Sequence, residues 1–563
     1  MTSLACLVVI ALIAAFPAAN VSAQDKPSPI APVLARNGMV ASQEAGATRV
    51  GVEILQKGGN AIDAAVAVAF ALAVTHPQAG NLGGGGFMLI HAATSGKTTA
   101  IDYRETAPLA MNATSFLDAK GEADPRKSQD SALSIGVPGT VAGMALALER
   151  YGSGRFTLAE VIAPAIALAR NGVPVADDLA DSLRRAQPRL ARWSSSKLFF
   201  GENGEALAAG SVLRQNDLAA SLEAIARDGP DAFYRGAIAE KIVASVKAAG
   251  GLLAAEDFRG YRAIERAPVR GSYRDYEIFS MPPPSSGGVA LVEMLNILEG
   301  YDLRRLGAQA PHVMVEAMKR AYADRAEFLG DPDAVTVPVE ALTSKDYAAK
   351  LRSEITDRAS VVRTRAPLQR EGDNTTHFSV VDRAGNAVAN TYTLNFSYGL
   401  GLVAEGTGIL LNNELDDFAA KPGSPNAYGL VGGAANAPGP GKRPLSSMSP
   451  TIVMRDGKVM LVTGSPGGSR IITTVLQVMT NVLDLGMNVG EAVARPRLHH
   501  QWVPDQVGAE RGVEPDVIRA LEAAGHRVVI GRPWGSANSI MVTPDGMMGA
   551  ADPRTRGSLA AGF

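Results

Sequence analysis

Cysteine is all but missing. The one thiol, Cys6, lies in the first apolar stretch of a 563-residue sequence, so no disulfide can close within the chain, and a chain that loses that stretch has no thiol nucleophile. Covalent catalysis would then fall to Ser, Thr, Lys or a carboxylate. An excess of either charge is missing too. The 54 basic residues stand against 56 acidic ones, which leaves none of the electrostatic footprint of a nucleic-acid partner. The seven histidines form no metal signature, because His499 and His500 are adjacent and have no Cys or HExxH companion. No metal or organic cofactor is implied. The apolar run at 4–16 has 13 residues, short of the ~20 that cross a bilayer as a helix. A phosphate-binding loop is missing as well: "SGKTT" at 95–99 would need glycine at position 91, which is His91, and no helix follows. That segment is a hairpin turn, and the glycine-rich stretches at 81–86 and 465–468, taken alone, are tight turns.

What is present is a full core. The hydrophobic fraction is 46%, enough for one large or two ordinary domains. The apolar run at 4–16 is followed by Val21-Ser22-Ala23, the small-residue pattern of signal-peptide cleavage before Gln24, although no Lys or Arg precedes the run. The expectation is a signal peptide at 1–23 and a periplasmic or secreted protein; a buried N-terminal helix is the alternative. A helix is expected over 42–57, ended by Gly58-Gly59. A second begins at Asn60 with Asp63 three places on, and runs to Val74. The second is apolar nearly all round, so it should be central and buried. Strands follow near 86–92 and 98–104. Residues 137–350 are mostly helical in pattern, with amphipathic segments near 158–170, 218–227 and 288–298, and 353–374 is irregular and polar. From Thr375 onward strands and glycine turns dominate, with one clear helix over about 469–485. Strands and helices mix without βαβ alternation, which indicates an α+β or layered αββα arrangement.

The stretch "GDNTTHFSVVD" at 372–382 leads into a hairpin. Arg383-Ala384-Gly385 suits a three-residue loop with a left-handed glycine, which pairs Asp382 with Asn386 and, counting outward, Thr375 with Thr393. Alternation then puts Phe378, Val380, Val388, Tyr392 and Leu394 on one face. Thr375, His377, Ser379, Thr391, Thr393 and Asn395 fall on the other, which could line a site or simply be a Thr-rich strand surface.

The order "TTHFSVVDRAGNAVANTYTLN", "GILLNNELDDFAAKPG", "KRPLSSMSPT" and "GSPGGSR" resembles the small subunit of the γ-glutamyltranspeptidases. Upstream, "NLGGGGFMLI", "DYRETAP" and "PPPSSGG" resemble the large subunit, and the likeness covers essentially the whole chain after the leader. The resemblance implies an exported precursor that cuts itself between Asn374 and Thr375. A large subunit of 24–374 and a small subunit of 375–563 would form a heterodimer with the four-layer αββα N-terminal-nucleophile fold, two stacked antiparallel sheets between helical layers. It further implies Thr375 as nucleophile, oriented by Thr393, with Gly467 and Gly468 as oxyanion donors. Arg104, Ser446 and Ser447 would hold a substrate α-carboxylate, and Asn395, Glu414 and Asp417 the α-ammonium. Residues 421–444 resemble the family's lid loop, with Tyr428 as gate, which favours small peptides such as glutathione. The implied activity is γ-glutamyl transfer to water or to amino acids. A glutaryl-cephalosporin acylase of the same family is the alternative enzyme, and a non-catalytic exported amino-acid-binding protein the alternative outside enzymes.

Overall fold

In the computed structural model, which describes residues 30–362 and 375–563, the apolar stretch after Gly59 is the helix Ala61–Thr75, buried at every position. A reciprocal capping box between Asn60 and Asp63 closes its first turn, satisfying amides that would otherwise be orphaned in the interior. The preceding helix is Ala45–Gln56, capped by the Glu44 carboxylate rather than begun at Ser42. The signal-peptide stretch, Asn374 and the bond before Thr375 lie outside the described residues.

Two seven-stranded antiparallel sheets form the centre. One runs, edge to edge, Leu559–Gly562, Gly38–Ser42, Thr376–Asp382, Ala387–Thr393, Gly85–Ala92, Lys97–Tyr103 and Ile264–Arg266. The other runs Val33–Ala35, Gly546–Ala550, Ser539–Thr543, Lys458–Thr463, Thr451–Arg455, Tyr276–Ser280 and Val269–Tyr273. The "SGKTT" segment is the expected hairpin turn, with Ala92 paired to Lys97. The hairpin after Thr375 has the expected register, with Thr376 opposite Tyr392 and Val380 opposite Val388.

Phe378, Val380, Val388, Tyr392 and Leu394 pack on the layer that contains Ala61–Thr75. Leu461, Ile452 and Val453 of the second sheet pack with the helices Gly287–Leu298 and Ile471–Leu483. The order helix, sheet, sheet, helix is the αββα arrangement. Several short strands depart from the sequence pattern. The mostly helical region contains the strands Val269–Tyr273 and Tyr276–Ser280, whose buried positions Val269, Tyr273, Ile278 and Ser280 alternate around a tight turn at Arg274. The period-two signal was there, but it is short and carries three arginines (Arg270, Arg274 and the preceding Arg266).

Candidate active site

Thr375 stands at the mouth of a central strand, flanked on both sides by paired neighbours. Its Oγ1 donates to Thr393 Oγ1 at 3.2 Å, and Thr393 Oγ1 also accepts the Asn395 backbone N–H at 2.9 Å. Asn395 takes a left-handed φ of 71°, which an Asn tolerates better than most side chains, and its amide donates to Asn413 O at 2.9 Å. The site-facing half of the hairpin is short. His377 and Ser379, on the same face, point into the space between the sheets: His377 bonds Thr391 Oγ1 at 2.8 Å, and Ser379 Oγ donates to Asn538 O at 2.8 Å. Burial pushes the His377 imidazole down to about 3, so it fills the inter-sheet layer as a neutral group.

Arg104 leaves the end of the strand Lys97–Tyr103 fully buried. Its Nε donates to Pro444 O at 3.1 Å, and its two terminal nitrogens meet Glu414 Oε1 and, at 2.5 Å, Asp417 Oδ2. Both carboxyls belong to one short turn, Glu414–Asp417. Burial works against the Arg104 cation, but Glu414, Asp417 and Glu105 outweigh it and raise its pKa. Burial raises all three carboxyls, and one arginine cannot balance three buried anions. Glu414 is pushed well above the usual carboxylate range and Glu105 up to about 8; Glu105 lies 3.8 Å from Arg104, and neither of its oxygens has a hydrogen-bond partner among the described residues.

Ser446 and Ser447 are set by the "PPPSSGG" segment. Ser446 N donates to Pro284 O, and Ser286 N donates to Ser446 O, both at 2.8 Å. Arg325 of the helix Ala310–Phe328 bonds Ser286 Oγ at 3.0 Å and reaches Ser447 Oγ at 3.5 Å. The sequence reading missed Arg325. The signal was a charged residue three places after Tyr322 on the helix's buried stripe, where only a paired or functional cation belongs.

Gly467 and Gly468, with φ of 134° and 55°, turn the chain from the strand Lys458–Thr463 into a 3₁₀ turn ahead of the helix Ile471–Leu483. First-turn amides of a helix have no partner within it and favour negative charge. A Cβ at Gly468 would stand 2.7 Å from the Tyr428 ring, so the gate lies directly on this turn. Tyr428 Oη reaches Asn395 O at 2.9 Å and Asn395 Oδ1 at 2.8 Å, and its ring meets Phe396 edge-on at 6.2 Å. The lid is further tied by Ala427 N to Asp416 Oδ2 at 3.0 Å and by Asn426 Nδ2 to Asp417 Oδ1 at 3.1 Å. Ten of the eleven site residues read from the sequence line one cavity, of about 20 Å³, with Gly467 just behind it. That volume holds about one water, and Tyr428 lines it.

A threonine at a strand mouth, a second threonine on its hydroxyl, a buried arginine and carboxyl cluster, and a glycine turn on the same cavity describe an acyl-transfer site for a small charged substrate. Comparison with known proteins agrees. Residues 47–562 match the family model described as Gamma-glutamyltranspeptidase. A glutathione hydrolase proenzyme of Escherichia coli (strain K12) is 55% identical over 541 residues, 94% of this chain and 93% of that one. One of Pseudomonas sp. (strain A14) is 47% identical, covering 95% of each chain. Among solved structures, the cephalosporin acylase from Bacillus halodurans superposes with a TM-score of 0.84 at 30% identity, over 96% of this chain and 99% of that one. This chain belongs to the γ-glutamyltranspeptidase family.

Proposed function

We propose that the precursor cuts itself between Asn374 and Thr375, giving subunits 24–374 and 375–563, and that Thr375 then works as nucleophile and, through its own α-amine, as base. The chain is a γ-glutamyltransferase and glutathione hydrolase. The observation that carries this assignment of roles is the Thr375–Thr393 hydroxyl contact at 3.2 Å, at a strand end that opens into the charged cavity. Before the cut, Thr375 N is an amide and cannot take a proton. Afterwards it is an amine with a reference pKa of about 7.7–8.0. As Oγ1 attacks the γ-carbonyl, its proton passes to that amine, and Thr393 holds the hydroxyl in line. The N–H groups of Gly467 and Gly468 receive the oxyanion, and losing one such donor typically costs ~2.7–4 kcal/mol. Collapse expels cysteinylglycine from glutathione, protonated by the ammonium. Water or an acceptor amine then reverses the steps to free the acyl group.

The substrate head is an α-amino acid zwitterion, and the cluster suits it. With one proton shared among the three carboxyls, the cations Arg104 and Arg325 balance the two that remain charged, so a net-neutral head enters without adding buried charge. Arg104, Ser446 and Ser447 take its carboxylate, while Asn395, Glu414 and Asp417 take its ammonium. Export to the periplasm or beyond belongs to the same reading. The acylase alternative is disfavoured because a glutaryl arm keeps the terminal carboxylate but lacks the α-ammonium, which would leave Glu414 and Asp417 without a task. A pure binding protein is disfavoured because binding needs no free Thr375 amine.

Intact-protein mass spectrometry on the wild type and on Thr375→Ala tests the reading. Two wild-type chains, the smaller beginning at Thr375, are expected, with the variant left whole. A folded, uncut wild type would overturn it.

A further inference from the structure

His499 is buried and has no part in the chemistry above. Its Nδ1 stands 2.8 Å from Thr473 Oγ1 and its Nε2 2.9 Å from Gln501 Oε1. Gln501 is buried as well, and its Nε2 donates to Tyr428 O at 3.1 Å and to Val503 O at 3.3 Å. Two carbonyls on one end fix which way the amide faces, since only N–H groups can answer them. Gln501 Oε1 is therefore the acceptor that faces His499. Burial pushes the His499 imidazole down to about 3, with Arg470 and His500 acting in the same direction, so the ring is neutral and carries one proton. That proton sits on Nε2, where it answers Gln501. Nδ1 then accepts from the Thr473 hydroxyl, which lies 3.1 Å from Arg470 O as well.

The chain of bonds starts on the helix behind the oxyanion turn. Thr473 is the third residue of Ile471–Leu483. Gln477 of the same helix holds Leu498 on both sides, donating to its O and accepting from its N, each at 2.8 Å. Tyr322, whose hydroxyl donates to Ser469 O, meets the His499 ring edge-on at 5.8 Å. His499 and Gln501 thus stand on the element that carries Gly467 and Gly468. Tyr428 is gripped at two points: its hydroxyl reaches Asn395, and its main-chain carbonyl takes the Gln501 amide.

We propose that Gln501 is a positioning residue for the gate: its amide fixes the main chain of Tyr428 against the helix that carries the oxyanion turn, so that the ring stays on Gly468. The proposal rests on the reading of residues 421–444 as a lid with Tyr428 as gate. A bond to a main-chain carbonyl holds the backbone whatever the side chain does, so this grip is separate from that of the Tyr428 hydroxyl. The competing role for Gln501 is to brace its own turn through Val503 O. Losing a local brace would loosen the turn and leave the lid as it is.

The experiment uses Gln501→Met and Gln501→Glu in the full chain. It reads hydrogen exchange in the peptide containing Ala427 and Tyr428, together with steady-state kinetics on glutathione. Methionine keeps the length and has no donor. Exchange in that peptide is expected to accelerate about five- to 150-fold, as follows when a buried acceptor goes unpaired. KM should rise about fivefold or more while kcat is little moved, the mark of lost uniform binding. Glutamate keeps the shape and supplies a donor to Tyr428 O only when protonated. Its exchange, divided by that of the wild type at the same pH, should stay near one in acid and climb toward the methionine value as the carboxyl ionises. A range from about pH 4 to about pH 9 covers exposed and buried carboxyls alike. The groups facing it are the His499, His500 and Tyr322 rings, the Tyr428 hydroxyl and the Arg470 guanidinium, and the division by wild type removes their titration. Unmoved exchange in Gln501→Met overturns the assignment, and so does a Gln501→Glu ratio that is flat with pH. Acceleration that reaches the helix Ala61–Thr75 overturns it too, since Gln501 would then serve the whole fold. Faster exchange with KM unmoved overturns the gate reading and this one with it, so the two failures are distinguishable.

Discussion

Tyr428→Phe is the smallest change that separates a gate from a wall. The ring stays, and with it the contact with Phe396 at 6.2 Å; only the hydroxyl goes. That hydroxyl lies within 2.9 Å of both Asn395 O and Asn395 Oδ1, yet it has one proton, so it serves one acceptor strongly at a time. In the shut state of the variant, both oxygens lose this donor in a site 2% exposed at Asn395. A buried acceptor left unpaired costs about 1–3 kcal/mol. When the lid lifts, water reaches the same oxygens and the penalty disappears. The change therefore weighs on the shut state alone and raises the open population by roughly five- to 150-fold. The amide of Ala427 reports that motion, because its hydrogen bond crosses from the lid to the Asp416 carboxylate at 3.0 Å. Hydrogen exchange measured on the peptide containing Ala427 should accelerate by that factor, while exchange in the buried helix Ala61–Thr75 stays at wild-type rates. Unchanged exchange at Ala427 would refute the reasoning, since it would mean that the hydroxyl does not hold the lid. Acceleration everywhere would mean that the variant had loosened the whole fold.

Arg325→Lys keeps the charge but loses the fork that spans Ser286 and Ser447. KM for γ-glutamyl donors should rise about tenfold with kcat little moved, and steady-state kinetics showing a fall in kcat alone would assign Arg325 to the reacting atoms instead. Glu105, pushed up to about 8 by burial, keeps its proton where an unfolded carboxyl, at about 4.3, has lost it. Its contribution to stability is therefore full at low pH and is lost as pH rises from about 4.3 to about 8, at up to ~1.4 kcal/mol per pH unit. Unfolding midpoints measured across that range should fall for the wild type and flatten for Glu105→Gln, and parallel curves would show that Glu105 ionises normally. Asp417→Asn removes one of the two anions on Arg104 and should cut the preference for γ-glutamyl over glutaryl amides by roughly 10- to 150-fold. An unchanged ratio of the two activities would count against the ammonium role.

Much of this site was legible because a hairpin converts sequence into geometry. One glycine turn at Gly385 fixes the register, and the register carries Thr375 to Thr393 across 18 positions without any tertiary information. The capping box at Asn60 was legible for the same reason: its partners are three residues apart. What period-two counting could not give was which part of the strand face opens. His377 and Ser379 share the face of Thr375, but the second sheet covers them, and nothing local to the hairpin says where that sheet ends. Arg325 escaped for a related reason. Its partners Ser286 and Ser447 lie 39 and 122 residues away, so helical spacing marks this arginine as inward-facing, but only tertiary packing shows what it meets. The mutual pairing of Arg104 with Glu414 and Asp417 is hidden too, because the partners lie 310 and 313 residues apart.

The strand order explains how a chain can be cut two-thirds of the way along and stay whole. Thr376–Asp382 lies between Gly38–Ser42 and Ala387–Thr393, so the strand that would begin the small subunit is zipped to a strand of the large one. Both sheets repeat the pattern: Gly85–Ala92 adjoins Ala387–Thr393, and Tyr276–Ser280 adjoins Thr451–Arg455. Separating the parts would break whole ladders and expose both hydrophobic layers, at a cost far above the ~5–15 kcal/mol that holds an ordinary domain folded. Cutting one peptide bond at the strand mouth breaks no ladder bond within Thr376–Asp382. It can thus release an amine beside a hydroxyl already held by Thr393, and the fold need not move to become active. The same interleaving places the cation cluster across the cut, with Arg104 and Arg325 from one side and Glu414, Asp417 and Ser447 from the other. The charged cluster therefore exists only where the two proposed parts meet, and on that reading any variant that lets them part loses substrate recognition along with the nucleophile.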